Sequence, residues 1–176
     1  AIQGYGWSNY VCDPVMVATS GDRLLDANAE QVMRERLLPL ATLVTPNLDE
    51  AEILTATEVR DLVQMEQAGR QLIARGASAA LVKGGHLPGD LMTDVLVSRE
   101  GVRRYTHARL HTTSTHGTGC TLSAAITAGL AAGRPLETAV TEGLDFLQRA
   151  IAAAPGLGGG HGPVNHTVPA RRPASP

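Results

Sequence analysis

The chain has 176 residues, 43% hydrophobic and 18% charged, with a net charge of −2 at pH 7. That length and balance suit one domain with a substantial core, and they exclude a basic surface for nucleic acid or anionic membranes. Aromatics at 3% leave no stacking platform for bases, and two cysteines, Cys12 and Cys120, without a C-x-x-C pair point away from zinc and disulfides and toward a reducing cytoplasm. No apolar run is long enough to span a bilayer. The opening AIQGYGWSNYVCDP has no initiator Met, basic n-region or apolar h-region, so it does not read as a signal peptide. It reads as a chain that begins partway into a domain.

Tyr10-Val11-Cys12 is a short apolar strand with a polar exit at Asp13-Pro14. Asp26 is a good N-cap for a helix carrying Ala29, Val32, Met33 and Leu37, which Pro39 stops. Ala41 to Thr45 predicts the next strand, closed by Pro46. Asn47 then caps a helix through Leu54, with Asp49 and Glu50 in its first turn, where the helix dipole favours acids. Leu62, Met65, Gly69, Leu72 and Ile73 mark a third helix that ends at Gly76. Ala79 to Lys83 predicts a strand running into Gly84-Gly85-His86.

Beyond it, Asp94 to Ser98 and Val102 to His107 are β-prone runs joined around Glu100-Gly101, a hairpin signal. A small-residue helix follows Cys120 and ends at Gly133, and a last, poorly capped helix runs from Pro135 through Ile151. From Pro155 the chain is rich in Gly and Pro, and beyond His166 a disordered tail is expected. Alternating strands and helices with short turns predict an α/β domain around a mostly parallel sheet. Ligands of such sheets sit at the carboxyl ends of the strands. Asp13, Asn47, Glu50, Lys83 and the Gly117 turn all fall at strand exits or helix starts, so they are expected to converge on one edge.

Gly117-Thr118-Gly119-Cys120 allows a tight turn and close approach to an anion, with the free N–H groups of the next helix directed at it. The Walker A ending is missing. The plainer reading is an ordinary glycine turn. Cys120 sits where a helix N-terminus favours a thiolate, as a nucleophile or a base, but a small half-buried cysteine also fits there. Asn47 reads as an N-cap. Glu50 reads as a helix acid, or as a carboxylate orienting a hydrated Mg²⁺. Asp13 is a turn residue before Pro14, or a second such carboxylate. Lys83 is an exposed strand-exit lysine, or a point charge for phosphates. The histidines form no ligand spacing, and Cys12 reads as core.

Together these pieces resemble the ribokinase-like superfamily, and within it the hydroxymethylpyrimidine and phosphomethylpyrimidine kinases of thiamine biosynthesis. The matching stretches are Val11 to Ala18, Ser20-Gly21-Asp22, Leu24-Leu25, Leu37-Leu38-Pro39 and Thr45-Pro46-Asn47-Leu48 with Glu50-Ala51. Val82 to His86, Thr115 to Ala125 and Gly162 to His166 complete the set, in the family's order. The resemblance implies a doubly wound sheet with helices on both faces over residues 1–166, with 167–176 as tail. It implies Mg²⁺-dependent transfer of the γ-phosphoryl group of ATP to a small pyrimidine, 4-amino-5-hydroxymethyl-2-methylpyrimidine, and then to its monophosphate. Gly117, Thr118 and Gly119 would form the anion hole, and Cys120 would take the place of the superfamily's aspartate base. Lys83, Asn47 and Thr115 would serve the nucleotide, and Glu50 and Asp13 the hydrated Mg²⁺, with Asn47 assisting. The family suggests a homodimer.

Two departures accompany the resemblance. Thr19 stands where the family usually carries a lysine, and nothing here matches the family's N-terminal portion, which carries a G-G-A-G-x-Q-A-D-type segment and also the residues that grip the pyrimidine. The resemblance therefore implies a chain truncated at its N-terminus, with little or no turnover as given. The competing readings are a pyridoxal-type kinase, a non-catalytic nucleotide-binding remnant and a cysteine hydrolase.

Overall fold

In the computed structural model the described residues are 1–17, 23–85, 89–156 and 160–170. They form two compact units, 1–109 and 110–176. The expectations for Thr19, for Ser20 to Asp22, for His86 and for the tail at 171–176 lie outside the described residues.

The first unit holds a five-stranded sheet in the order β1 (Val11–Cys12), β2 (Leu43–Val44), β3 (Ala80–Val82), β4 (Leu91–Ser98) and β5 (Gly101–Ala108). The pairings β1–β2 and β2–β3 are parallel, and β3–β4 and β4–β5 are antiparallel. The sheet is thus mixed: crossover helices give the parallel part, the hairpin read from the sequence gives β4–β5, and the antiparallel β3–β4 pair adds to what the sequence suggested. β4 starts at Leu91, three residues earlier than the apolar run suggested, because Leu91, Met92 and Thr93 pair with Ala108, His107 and Thr106 out on the hairpin.

Register decides what the sheet buries. Cys12, Val44, Ala80 and Val97 are successive partners across four strands and share one face. Helices α2 (Leu48–Thr55) and α3 (Leu62–Ala74) cover that face. Leu54 and Leu72 join Cys12, Met16, Val44 and Ala80 in one apolar cluster. Leu48, Ala51, Met65 and Ala68 pack with Val82, Val95 and Val97 in a second. Each fully buried Leu or Val side chain contributes about 1.5–3 kcal/mol relative to exposure. Leu43, Leu81 and Leu96 alternate to the opposite face and are also buried.

Helix α1 (Ala27–Val32) is capped as expected, with Asp26 Oδ1 accepting the Ala29 N–H at 2.8 Å. It is shorter than its apolar spacing suggested. The chain widens into a π turn over Met33–Leu37 and tightens into a 3₁₀ turn over Leu38–Leu40. Pro39 has no N–H to donate and cannot continue an α-helix, so the final turns rearrange around it.

The second unit pairs α4 (Thr118–Ala131) with α5 (Leu136–Ala152). Leu122, Ile126 and Leu130 of α4 are buried, as are Val140, Leu144 and Leu147 of α5. α4 begins at Thr118 rather than after Cys120. Gly117 is its cap at φ +81°, a left-handed conformation that suits glycine and strains other residues. At the other end of the unit, Arg149 donates to the Pro169 carbonyl at 2.6 Å, so the start of the expected tail is tied to α5. No helix among the described residues is long and apolar enough to cross a membrane.

Candidate phosphoryl-transfer site

Asp13 follows β1, Asn47 lies three residues past β2, and Lys83 follows β3. These three parallel strands are neighbours, so their carboxyl ends bring the residues together. Lys83 N–H donates to the Pro46 carbonyl at 2.8 Å, and Lys83 bridges Asn47 in parallel. The Lys83 ammonium donates to Asp13 Oδ1 at 3.1 Å and lies 4.0 Å from Glu50 Oε2. Side-chain exposure is 18% for Lys83, 13% for Asp13 and 3% for Glu50, so little water screens the three charges. The expected convergence of Asp13, Asn47, Glu50 and Lys83 is therefore observed within the first unit.

Asn47 is the N-cap of α2. Its Oδ1 accepts the Glu50 N–H at 2.8 Å, and Glu50 Oε2 accepts the Asn47 N–H at 2.8 Å, closing a capping box. Glu50 thus caps the helix as the sequence suggested, and its carboxylate also faces Lys83. Burial pushes the Glu50 carboxyl above its ordinary range, opposed by the Lys83 charge and by the N–H of Asn47.

Two residues join this cluster that the sequence had not marked. Thr45, buried, donates its hydroxyl to Asp13 Oδ1 at 3.0 Å. Asp94, also buried, accepts the Gly84 N–H at 2.8 Å and so holds the turn that follows Lys83. Burial raises the Asp94 carboxyl, with the Gly84 N–H and then His107 and Lys83 pulling it back. The signal was an acid inside the run Asp94-Val95-Leu96-Val97. An acid buried in an apolar strand needs a donor.

Glu50 and Asp94 predict a pH dependence. Their folded pKa values lie above the unfolded ones (about 4.3 for Glu and 3.9 for Asp). In that window the native state binds more protons than the unfolded state. The two groups therefore favour the fold most at and below the unfolded values, and that contribution is lost as pH rises toward the folded ones. Glu50→Gln keeps an oxygen for the Asn47 N–H but no longer titrates. Urea midpoints between pH 4 and pH 8 are expected to fall less steeply in Glu50→Gln than in the parent chain, and equal slopes would remove Glu50 from the account.

The second unit carries the Gly-Thr-Gly-Cys segment. Thr118, Gly119 and Cys120 are the first three residues of α4 rather than the turn before it, so their N–H groups lie at the helix mouth. The first full helical bond is Thr121 N–H to the Gly117 carbonyl, 2.9 Å. Among the described residues no backbone acceptor meets the N–H of Gly119 or Cys120. Cys120 is exposed and free, and Cys12 is buried, with its thiol 3.6 Å from Met33 Sδ. Thr115 lies in the loop before the helix, its carbonyl accepting the Thr118 hydroxyl at 3.2 Å.

The α/β fold is of the ribokinase-like class, as its matches among solved structures show. The family described as phosphomethylpyrimidine kinase matches residues 1–165, and the chain belongs to that family. It is 48% identical over 159 residues to the hydroxymethylpyrimidine/phosphomethylpyrimidine kinase of Staphylococcus aureus strain MRSA252, covering 89% of this chain and 58% of that protein. Among solved structures, it matches an ADP complex of Bacillus subtilis pyridoxal kinase with a TM-score of 0.87 at 36% identity, covering 94% of this chain and 63% of the other. Phosphomethylpyrimidine kinase from Clostridium difficile 630 matches with a TM-score of 0.74 at 34% identity, covering 85% and 60%. The chain thus spans less than two thirds of the length of each.

Proposed function

We propose that this chain supplies the nucleotide-binding and phosphoryl-transfer groups of an ATP-dependent kinase acting on 4-amino-5-hydroxymethyl-2-methylpyrimidine and its monophosphate. The observation that carries the reading is the partly buried Asp13–Lys83–Glu50 cluster at three parallel strand ends, in a chain 48% identical to a curated kinase of that activity. The ADP complex of the Bacillus subtilis relative supports the nucleotide.

In this reading Lys83 contacts ATP phosphates as a point charge, with Asn47 and Thr115 beside the nucleotide. Gly117, Thr118 and Gly119 present the helix mouth to the transferring group. Among the described residues the N–H groups of Gly119 and Cys120 meet no backbone acceptor, and they need no reorganisation to meet negative charge. Cys120, exposed on that first turn, takes the proton of the acceptor hydroxyl.

The residues also fit a hydrated Mg²⁺. Such an ion keeps most of its waters and needs one or two carboxylates beside phosphate oxygens. Asp13 and Glu50 provide two, and the burial that raises the Glu50 carboxyl also favours an added cation there. Among the described residues no group of three or more His, Cys, Asp or Glu could hold a metal ion. Bound, it would neutralise phosphate charge, while Asp13 and Glu50 orient its waters.

A second reading, a pyridoxal-type kinase, is favoured by the structural match to the Bacillus subtilis enzyme. ADP formation measured with the pyrimidine, its monophosphate and pyridoxal separates the two. The proposal expects the pyrimidines to drive ADP release more strongly. Release driven by pyridoxal alone would establish the second reading, and binding of AMP-PCP without turnover on any acceptor would make the chain a nucleotide-binding remnant.

A further inference from the structure

The C-terminal segment Gly160 to Thr167 lies against the mouth of α4. Asn165 ties it to the end of α5, its N–H donating to the Ala150 carbonyl at 2.9 Å and its Nδ2 to the Ala153 carbonyl at 3.1 Å. From there it meets the stretch leading into α4 at several points, with the Thr115 hydroxyl 3.5 Å from His161 Nδ1, and two others are shorter. Gly162 offers its carbonyl to the His116 N–H at 3.1 Å. His166 Nε2 lies 2.9 Å from Thr121 Oγ1.

Counting protons assigns the second contact. The Thr121 hydroxyl has one proton, and it is donated to the Gly117 carbonyl at 2.7 Å. The remaining lone pairs of that oxygen can only accept. His166 Nε2 must therefore carry a proton and donate it, as it does in either the Nε2–H tautomer or the cation. A chain of hydrogen bonds then runs from His166 through the Thr121 hydroxyl to Gly117. That carbonyl already closes the first turn of α4, and its orientation fixes the peptide planes that follow.

We infer that His166 is a positioning residue for the Gly117–Cys120 helix mouth, holding the turn from outside through Thr121. The mechanism proposed above does not use His166, and this inference rests on that mechanism only for its kinetic consequence. Clamped at His116 and at Thr121, the turn keeps the N–H groups of Gly119 and Cys120 in a single orientation. Loosened, it presents them over a range of directions, which weakens interactions with charge that appears only during transfer.

The test compares His166→Ala, His166→Gln and Thr121→Val in the full chain by two readouts. Glutamine keeps a side-chain N–H but cannot act as an acid or base. Native-state amide exchange should quicken about tenfold at Thr121 in His166→Ala and Thr121→Val, roughly the loss of one hydrogen bond, and return in His166→Gln. Amides in the middle of α5 should stay unchanged. In turnover assays, kcat should fall about 10- to 100-fold in the alanine and valine variants with KM for ATP unmoved, and the glutamine variant should recover it. Parent-like exchange at Thr121 in His166→Ala, a glutamine variant as impaired as the alanine one, or loss of protection throughout α5 would overturn the inference. Exchange decides it even if the chain turns over no acceptor, an outcome that would bear on the kinase reading alone.

Discussion

Gly84→Ala is expected to destabilise the chain by about 3 kcal/mol or more and to weaken nucleotide binding with it. A Cβ at this position would sit 2.0 Å from the Thr93 carbonyl oxygen and 2.9 Å from its carbon. These atoms are backbone in β4, so no rotamer change relieves the clash. Either the hairpin or the segment after β3 must move. Moving that segment breaks the Gly84 N–H bond to Asp94 and strands a buried carboxyl. It also shifts Lys83, whose ammonium is aligned on Asp13 by the same stretch of backbone. Urea unfolding at neutral pH measures the loss. A midpoint within error of the parent chain would mean that the β3–β4 connection is looser than described.

The second large effect is expected for Lys83→Met, which keeps most of the aliphatic stem and removes the charge. Asp13 and Glu50 then face each other without the cation between them. Losing one partner of a buried ion pair costs about 3–5 kcal/mol. The partial exposure of Lys83, 18% of its side chain, places the expected loss near the lower figure, about 3 kcal/mol. The sign of its pH dependence is set. Without Lys83 the Glu50 carboxyl rises further, so the native state takes up protons more readily and the deficit shrinks on acidification. Urea midpoints at pH 5 and pH 7.5 should show the larger deficit at the higher pH. A deficit independent of pH would mean that packing of the lysine stem, and not its charge, holds the cluster.

The sequence carried most of the parallel part of the fold and half of the chemistry. The spacing of Leu62, Met65, Leu72 and Ile73 announced α3, and Asn47 with Glu50 announced the capping box, because both signals are local. The exits of the three parallel strands were marked by Pro14, Pro46 and the Gly84-Gly85 pair, which is why Asp13, Asn47 and Lys83 could be placed together. Thr45 and Asp94 were missed because their partners, Asp13 and Gly84, lie 32 and 10 positions away, and pairing at that range leaves no periodic trace. The π turn after α1 was hidden for another reason: its residues keep helical spacing, and only the missing N–H of Pro39 hints at a change. The start of α4 was misplaced by three residues because glycine lowers helix propensity, while here Gly119 sits in a first turn where the penalty is small. The role of His166 depends on the proton count at Thr121, which geometry alone reveals.

Titration of this chain with AMP-PCP and Mg²⁺ in a calorimeter should give saturable binding at one site. That binding should weaken at least about tenfold in Lys83→Met, measured at pH 5 where the variant's stability deficit is smaller and on protein whose far-UV circular dichroism matches the parent's, since a lost charged hydrogen bond to phosphate is worth about 1.5–3 kcal/mol. Absence of binding by the folded parent chain, or equal affinity in Lys83→Met, would contradict the assignment of the Asp13–Lys83–Glu50 cluster to the nucleotide.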